Sequence, residues 1–202
     1  DQLYVQRFST LGVPLTSPEL IYENKLPDLH SSEAMEARYI EATGELIIVW
    51  DDQHTSLSEG LRRVRWLWSS IEGEMVGSDT YTAFDEGLGN QRLADISVFS
   101  DGGFVLTWDD DAGDVDGFSA KARVFEVDGN PTCNELALNR NGIGDQAFPG
   151  VAVLASDEWV TAFADNSGSV WTRRYDRDGV DAVGQLERTA NASTAGAQQE
   201  LS

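Results

Sequence analysis

A chain of 202 residues with 35 acidic and 14 basic side chains carries a formal charge of −21, which repels nucleic-acid phosphates and anionic membrane surfaces and suits cations, cationic partners or a merely soluble exterior. Its length can bury a substantial core in one all-β unit, and no stretch reaches the roughly 20 apolar residues that a membrane-spanning helix needs. The single cysteine, Cys133, excludes an intrachain disulfide, and the first residues show no basic-then-apolar export signal, so an exported chain is expected to have lost it.

In chain order, Tyr4-Val-Gln-Arg-Phe-Ser-Thr-Leu-Gly12 reads as a strand that ends in an aromatic residue and a glycine turn. Residues 31–39 carry good helix formers behind Ser32 and are expected to form a short helical insertion. Residues 37–50 form the first hairpin pattern, two β-prone runs about Thr43-Gly44 with Trp50 at the end, and Arg65-Trp-Leu-Trp-Ser-Ser-Ile-Glu-Gly73 follows as a second strand-and-glycine segment. Gly89-Asn-Gln91 then opens another hairpin, residues 93–108, which turns at Asp101-Gly102-Gly103 and ends at Trp108. An acidic loop leads to Lys121-Ala-Arg-Val-Phe-Glu-Val-Asp-Gly129. Gly144-Asp-Gln146, the hairpin 151–163 about Ser156-Asp157, and Trp171-Thr-Arg-Arg-Tyr-Asp-Arg-Asp-Gly179 repeat that series, and Gly196-Ala-Gln198 begins it once more. The turns are those whose central residues need positive φ.

These landmarks keep one order at intervals of about 50 to 60 residues, the spacing of stacked β units. One copy amounts to four antiparallel strands, so the expected fold is all-β, a β-propeller whose blades are the copies 1–30, 31–88, 89–143 and 144–202. Nearly continuous apolar runs such as Phe104-Val-Leu-Thr-Trp108 fit strands covered on both faces. About three and a half copies fall short of most closed rings, which hold about four to eight blades. Either the chain is a piece of a larger ring, or two chains complete a seven-bladed one.

Ser100-Asp-Gly-Gly-Phe-Val-Leu-Thr-Trp108, the loop 109–117 and Ala122-Arg-Val-Phe-Glu-Val-Asp-Gly129 together resemble the DGGFVVTW and YAQRFDADG repeats of large bacterial surface and secreted proteins, and Tyr4-Val-Gln-Arg-Phe8 is similar to the YAQRF element. The first two copies depart from the pattern, with Glu45-Leu46 in place of the second Gly-Phe. The resemblance implies propeller blades in an extracellular protein and no fixed enzymatic activity.

The densest local signal is the loop after Trp108, where Asp109, Asp111, Asp114 and Asp116 are candidate calcium ligands, since calcium takes six to eight hard oxygens from a flexible acidic loop. The spacing is not that of an EF-hand, and a solvated loop that discourages edge pairing explains the same residues. Trp66, Trp68 and Trp171 beside Arg174 are candidate ligand-binding residues, because an aromatic face matches the C–H face of a sugar; aromatic core between blades is the competing explanation. His30 and His54 have no second ligand at metal spacing, and no catalytic residue is assigned.

The expected function is therefore a non-catalytic binding, adhesion or structural module, secreted or on the cell surface, that engages a protein or a glycan. A carbohydrate-binding lectin is the alternative and a secreted hydrolase the third reading. Nucleic acid and membrane insertion are not expected, and a homodimer or further chain would complete the ring.

Overall fold

The computed structural model of the chain describes residues 2–23, 35–53, 62–70, 75–82, 89–112, 117–140, 144–181 and 188–191. Over these residues the fold is all-β, with four antiparallel sheets. The first sheet pairs β1 (Gln2–Val5) with β2 (Glu19–Glu23). The second holds β3 (Met35–Ile40), β4 (Glu45–Gln53), β5 (Arg62–Ser70) and β6 (Met75–Thr82). The third runs β7 (Gln91–Val98), β8 (Phe104–Asp110), β9 (Ser119–Phe125) and β10 (Leu136–Ala137), and the fourth β11 (Gln146–Val153), β12 (Trp159–Asp165), β13 (Val170–Tyr175) and β14 (Arg188–Thr189). Each four-stranded sheet is a meander, every strand hydrogen-bonded to its neighbours in sequence.

The helical expectation for residues 31–39 is corrected over its described part. Met35 to Tyr39 lie in β3, in register with β4 from Met35 opposite Trp50 to Ile40 opposite Glu45. Helix propensity is worth tenths of a kcal/mol per residue, less than a full ladder and the burial of Ile40 supply.

Turn chemistry sets the remaining geometry. Gly44, Gly102 and Asp157 have φ of 77°, 93° and 57° in the three hairpins, the left-handed region that Gly and Asp adopt at least cost. The glycine turns are likewise superimposable in their bonding. Gly12, Gly129 and Gly179, at φ 75°, 80° and 83°, donate to Ser9, Glu126 and Asp176, and the chain then re-pairs as Phe8 with Pro14, Phe125 with Pro131, and Tyr175 with Asp181.

Alternation along each strand then decides the packing, because successive side chains point to opposite faces. From β4, Ile48 and Trp50 pack with Leu3 of the first sheet, whereas Ile47 and Val49 join Ala94, Ile96, Phe104, Leu106, Trp108 and Phe125 of the third. From the third sheet, Val105, Ala120, Ala122 and Val124 turn the other way, onto Trp159, Phe163 and Tyr175 of the fourth. The four sheets are thus stacked in chain order through three apolar layers. In the third and fourth sheets an aromatic pair faces backward: Phe104 stacks on Phe125 at 4.9 Å, and Trp159 on Tyr175 at 4.1 Å.

At the hairpin end, the third and fourth sheets are clamped by polar contacts. Asp157 accepts the Ser100 amide at 2.9 Å and hydroxyl at 2.5 Å, and Arg177 lies over the Phe99 ring at 3.9 Å with its guanidinium 3.2 Å from Asp101. Gly103 lies beneath that guanidinium, and a Cβ there would stand 2.8 Å from the Phe125 carbonyl, a backbone atom that cannot step aside. Gly103→Ala is expected to lose about 2 kcal/mol, the ordinary cost of overpacking, as a lower midpoint in urea denaturation.

Candidate binding surface

The loops joining second to third strands carry most of the acidic groups singled out in the sequence, and the structure gives several of them structural tasks. Asp111, beyond the end of β8, accepts the Asn90 amide at 2.5 Å and the Asn90 side-chain amide at 2.8 Å, and its carboxylate covers Gly89 where a Cβ would otherwise stand. Asn166 covers Gly144 in the same manner, so the pairing recurs one sheet on. Asp165 accepts from the Ser167 hydroxyl, the Trp171 indole and the amides of Ser167 and Ser169. Burial opposes ionisation there, but those donors together hold its carboxyl below the usual range.

Asp109 has a different setting. It is fully buried between the third and fourth sheets, where one oxygen accepts the Phe148 amide at 2.9 Å. The other lies 3.6 Å from Arg92 Nε and has no hydrogen-bond donor among the described residues. Burial is the largest influence and pushes the carboxyl up to about 7, against the Arg92 charge and the Phe148 amide, with Asp145 adding to the rise. Asp109 and Asp111 therefore serve an inter-sheet contact and a loop closure. Asp114 and Asp116 lie outside the described residues, and among the described residues no group of three or more His, Cys, Asp or Glu side chains is placed to hold a metal ion.

The aromatic candidates separate. The side chains of Trp66 and Trp68 lie outside what is described; their backbones stand in β5 opposite Val49 and Ile47. Trp171 is half-buried against the layer between the third and fourth sheets and donates its indole N–H to Asp165 at 2.7 Å. Arg174 is three residues further along β13, so it projects from the opposite face, where it pairs with Glu158. Trp171 and Arg174 do not form one site. His30 and His54 lie outside the described residues.

Sequence reasoning missed two arrangements. The first is a pair of buried carboxylates that reach across to the next sheet. Asp51, after Trp50, accepts the Leu93 amide at 3.2 Å, just as Asp109, after Trp108, accepts that of Phe148. Leu93 and Phe148 are non-glycine residues at φ 54° and 57°, each within a register shift of its ladder. These are bulges whose displaced amide would go unpaired without the carboxylate. The recurring Trp-Asp pair was the available signal. The second arrangement joins the first strands of successive sheets. Arg38 of β3 is 3.3 Å from Asp95 of β7, the other Asp95 oxygen accepts the Val151 amide of β11 at 2.8 Å, and Ser97 accepts that of Val153 at 2.9 Å. Burial raises the Asp95 carboxyl, against these amide and guanidinium contacts.

The described sheets are thus joined along β3, β7 and β11 by part-buried polar contacts. No helix among the described residues is long and apolar enough to cross a membrane. Neither a protein-family model nor a curated protein matches this sequence.

Proposed function

We propose that the chain is a non-catalytic binding or structural module of the bacterial exterior, its sheets being blades of a β-propeller that presents a polar surface to a protein partner. The observation that carries the reading is that each four-stranded meander sets its first strand beside the first strand of the next, through Arg38, Asp95, Ser97 and the amides of Val151 and Val153. First strands side by side and faces stacked in chain order are what a radial arrangement of blades requires. The assignment to binding rather than chemistry is supported by the use made of the charged groups. Asp51, Asp95 and Asp109 join sheet to sheet, and Asp111 and Asp165 close loops.

Small-angle scattering with sedimentation tests the arrangement: a stack curving about the first strands, alone or as a closed assembly, is the expected result, and a flat linear stack would end the propeller reading. A glycan array tests the function and is expected to be silent. Saturable, sugar-specific binding would instead establish the lectin, and turnover of a glycoside or ester panel would establish a hydrolase.

A further inference from the structure

The junctions of the third sheet with its two neighbours share one contact at the loop end and differ at the hairpin end. At the loop end Asp51 accepts the Leu93 amide and Asp109 that of Phe148, so the same lock joins second to third and third to fourth. The apolar layers select little more, since apolar groups of suitable size pack on many surfaces.

At the hairpin end three turns correspond. Gly44, Gly102 and Asp157 hold the left-handed position and donate to Ile40, Phe99 and Leu154 respectively. Glu41 and Ala42 follow Ile40 as Ser100 and Asp101 follow Phe99, and Val127 and Arg177 each stand two residues before the glycine of their own turn. On the second sheet the third brings apolar groups together: a Cβ on Gly102 would stand 3.0 Å from Val127, 3.2 Å from Ile40 and 3.3 Å from Ala42. On the third sheet the fourth brings charges. Asp157, in the place of Gly102, accepts the Ser100 amide and hydroxyl, and Arg177, in the place of Val127, covers Phe99 and pairs with Asp101.

We propose that this difference is an address, by which the fourth sheet packs on the third and is refused by the second sheet of another copy of the chain. On a second sheet the Asp157 carboxylate would meet Glu41 in the place of the Ser100 donors, and Arg177 would cover Ile40 with Ala42 in the place of Asp101. A carboxylate set against a carboxylate is strongly unfavourable, and a guanidinium taken from water without its anion adds to the cost. Similar sheets in one chain invite exchange between copies, and repulsion from the wrong neighbour is what discriminates between similar surfaces. The inference rests on the stacking of the sheets in chain order and not on their closing into a ring.

The test gives the second sheet the turn residues of the third, by Glu41→Ser with Ala42→Asp in the full chain. Both positions are exposed, neither belongs to the junction of the third and fourth sheets, and the net charge is unchanged. Parent and variant are refolded from urea over a wide range of protein concentration and weighed by native mass spectrometry. The parent is expected to return to one assembly state. The variant is expected to form in addition a discrete larger multiple of the chain, rising with concentration to about tenfold more than in the parent. Absence of that species overturns the proposal, however far the variant's melting temperature falls, and so does a parent that itself refolds into several assemblies. Asp157→Gly, which removes the repelled carboxylate from the other side, decides by the same measurement should the first variant not fold. A flat stack in scattering would remove the propeller reading while leaving this refolding result unaffected.

Discussion

Trp108→Ala is expected to lose about 4 kcal/mol of folding free energy, the middle of the range for deleting a buried aromatic side chain. Trp108 is fully buried among the Ile47, Val49, Ala94, Ile96, Phe104 and Leu106 layer that joins the second and third sheets. Removing the indole leaves a cavity that two laddered sheets cannot collapse to fill, and among the described residues its N–H forms no hydrogen bond whose loss would complicate the comparison. Urea unfolding followed by circular dichroism reads the effect as a fall in midpoint at constant slope. Trp171→Ala, at a half-buried position with one indole hydrogen bond, is expected to lose only about half as much. Equal losses would mean that the layer between the second and third sheets is not the tighter of the two.

Asp109→Asn is expected to stabilise the protein at pH 8 by about 2 kcal/mol, and the gain is expected to vanish toward pH 4. The sign follows from the direction of the shift. A carboxyl raised to about 7 in the folded state, from an ordinary 3.8, binds its proton more tightly folded than unfolded. The stability that its neutral form contributes is complete below about pH 4 and is lost as pH rises through about 7. Asparagine keeps an oxygen for the Phe148 amide and removes the buried charge. The expected gain is about half of what the shift alone would give, because Arg92 loses its anion. Melting temperatures of both proteins across pH 4 to 9 decide the matter. A variant less stable than the parent at every pH would show the Arg92 pair to outweigh desolvation. The fourth sheet carries Ala164 at this place, so the strand itself does not need the carboxylate.

The legible part of the fold was its punctuation. Thr43-Gly44, Asp101-Gly102-Gly103 and Ser156-Asp157 marked hairpins because few residues tolerate positive φ, and the structure turns at those places. Gly12, Gly129 and Gly179 marked equivalent turns for the same reason. Met35 to Tyr39 was misread because its helix formers were weighed without the partner strand that pairs with them. The candidate site was less legible. Trp171 and Arg174 were grouped by proximity in sequence, although the two-residue period of a strand already puts them on opposite faces. Leu93 and Phe148 gave no sign of left-handed backbone, since nothing local favours it in those residue types.

By itself the sequence determined where strands end and how they turn, because those choices depend on a few neighbouring backbone torsions and are written in glycine, aspartate and alternating apolar residues. Only the tertiary structure decided which carboxylates are removed from water. Asp109 and Asp111 are two residues apart in one acidic run, yet one is sealed beneath the fourth sheet and the other closes a loop at the rim. Desolvation and stacking depend on what distant segments lay over a side chain, and no local pattern of residues encodes that cover.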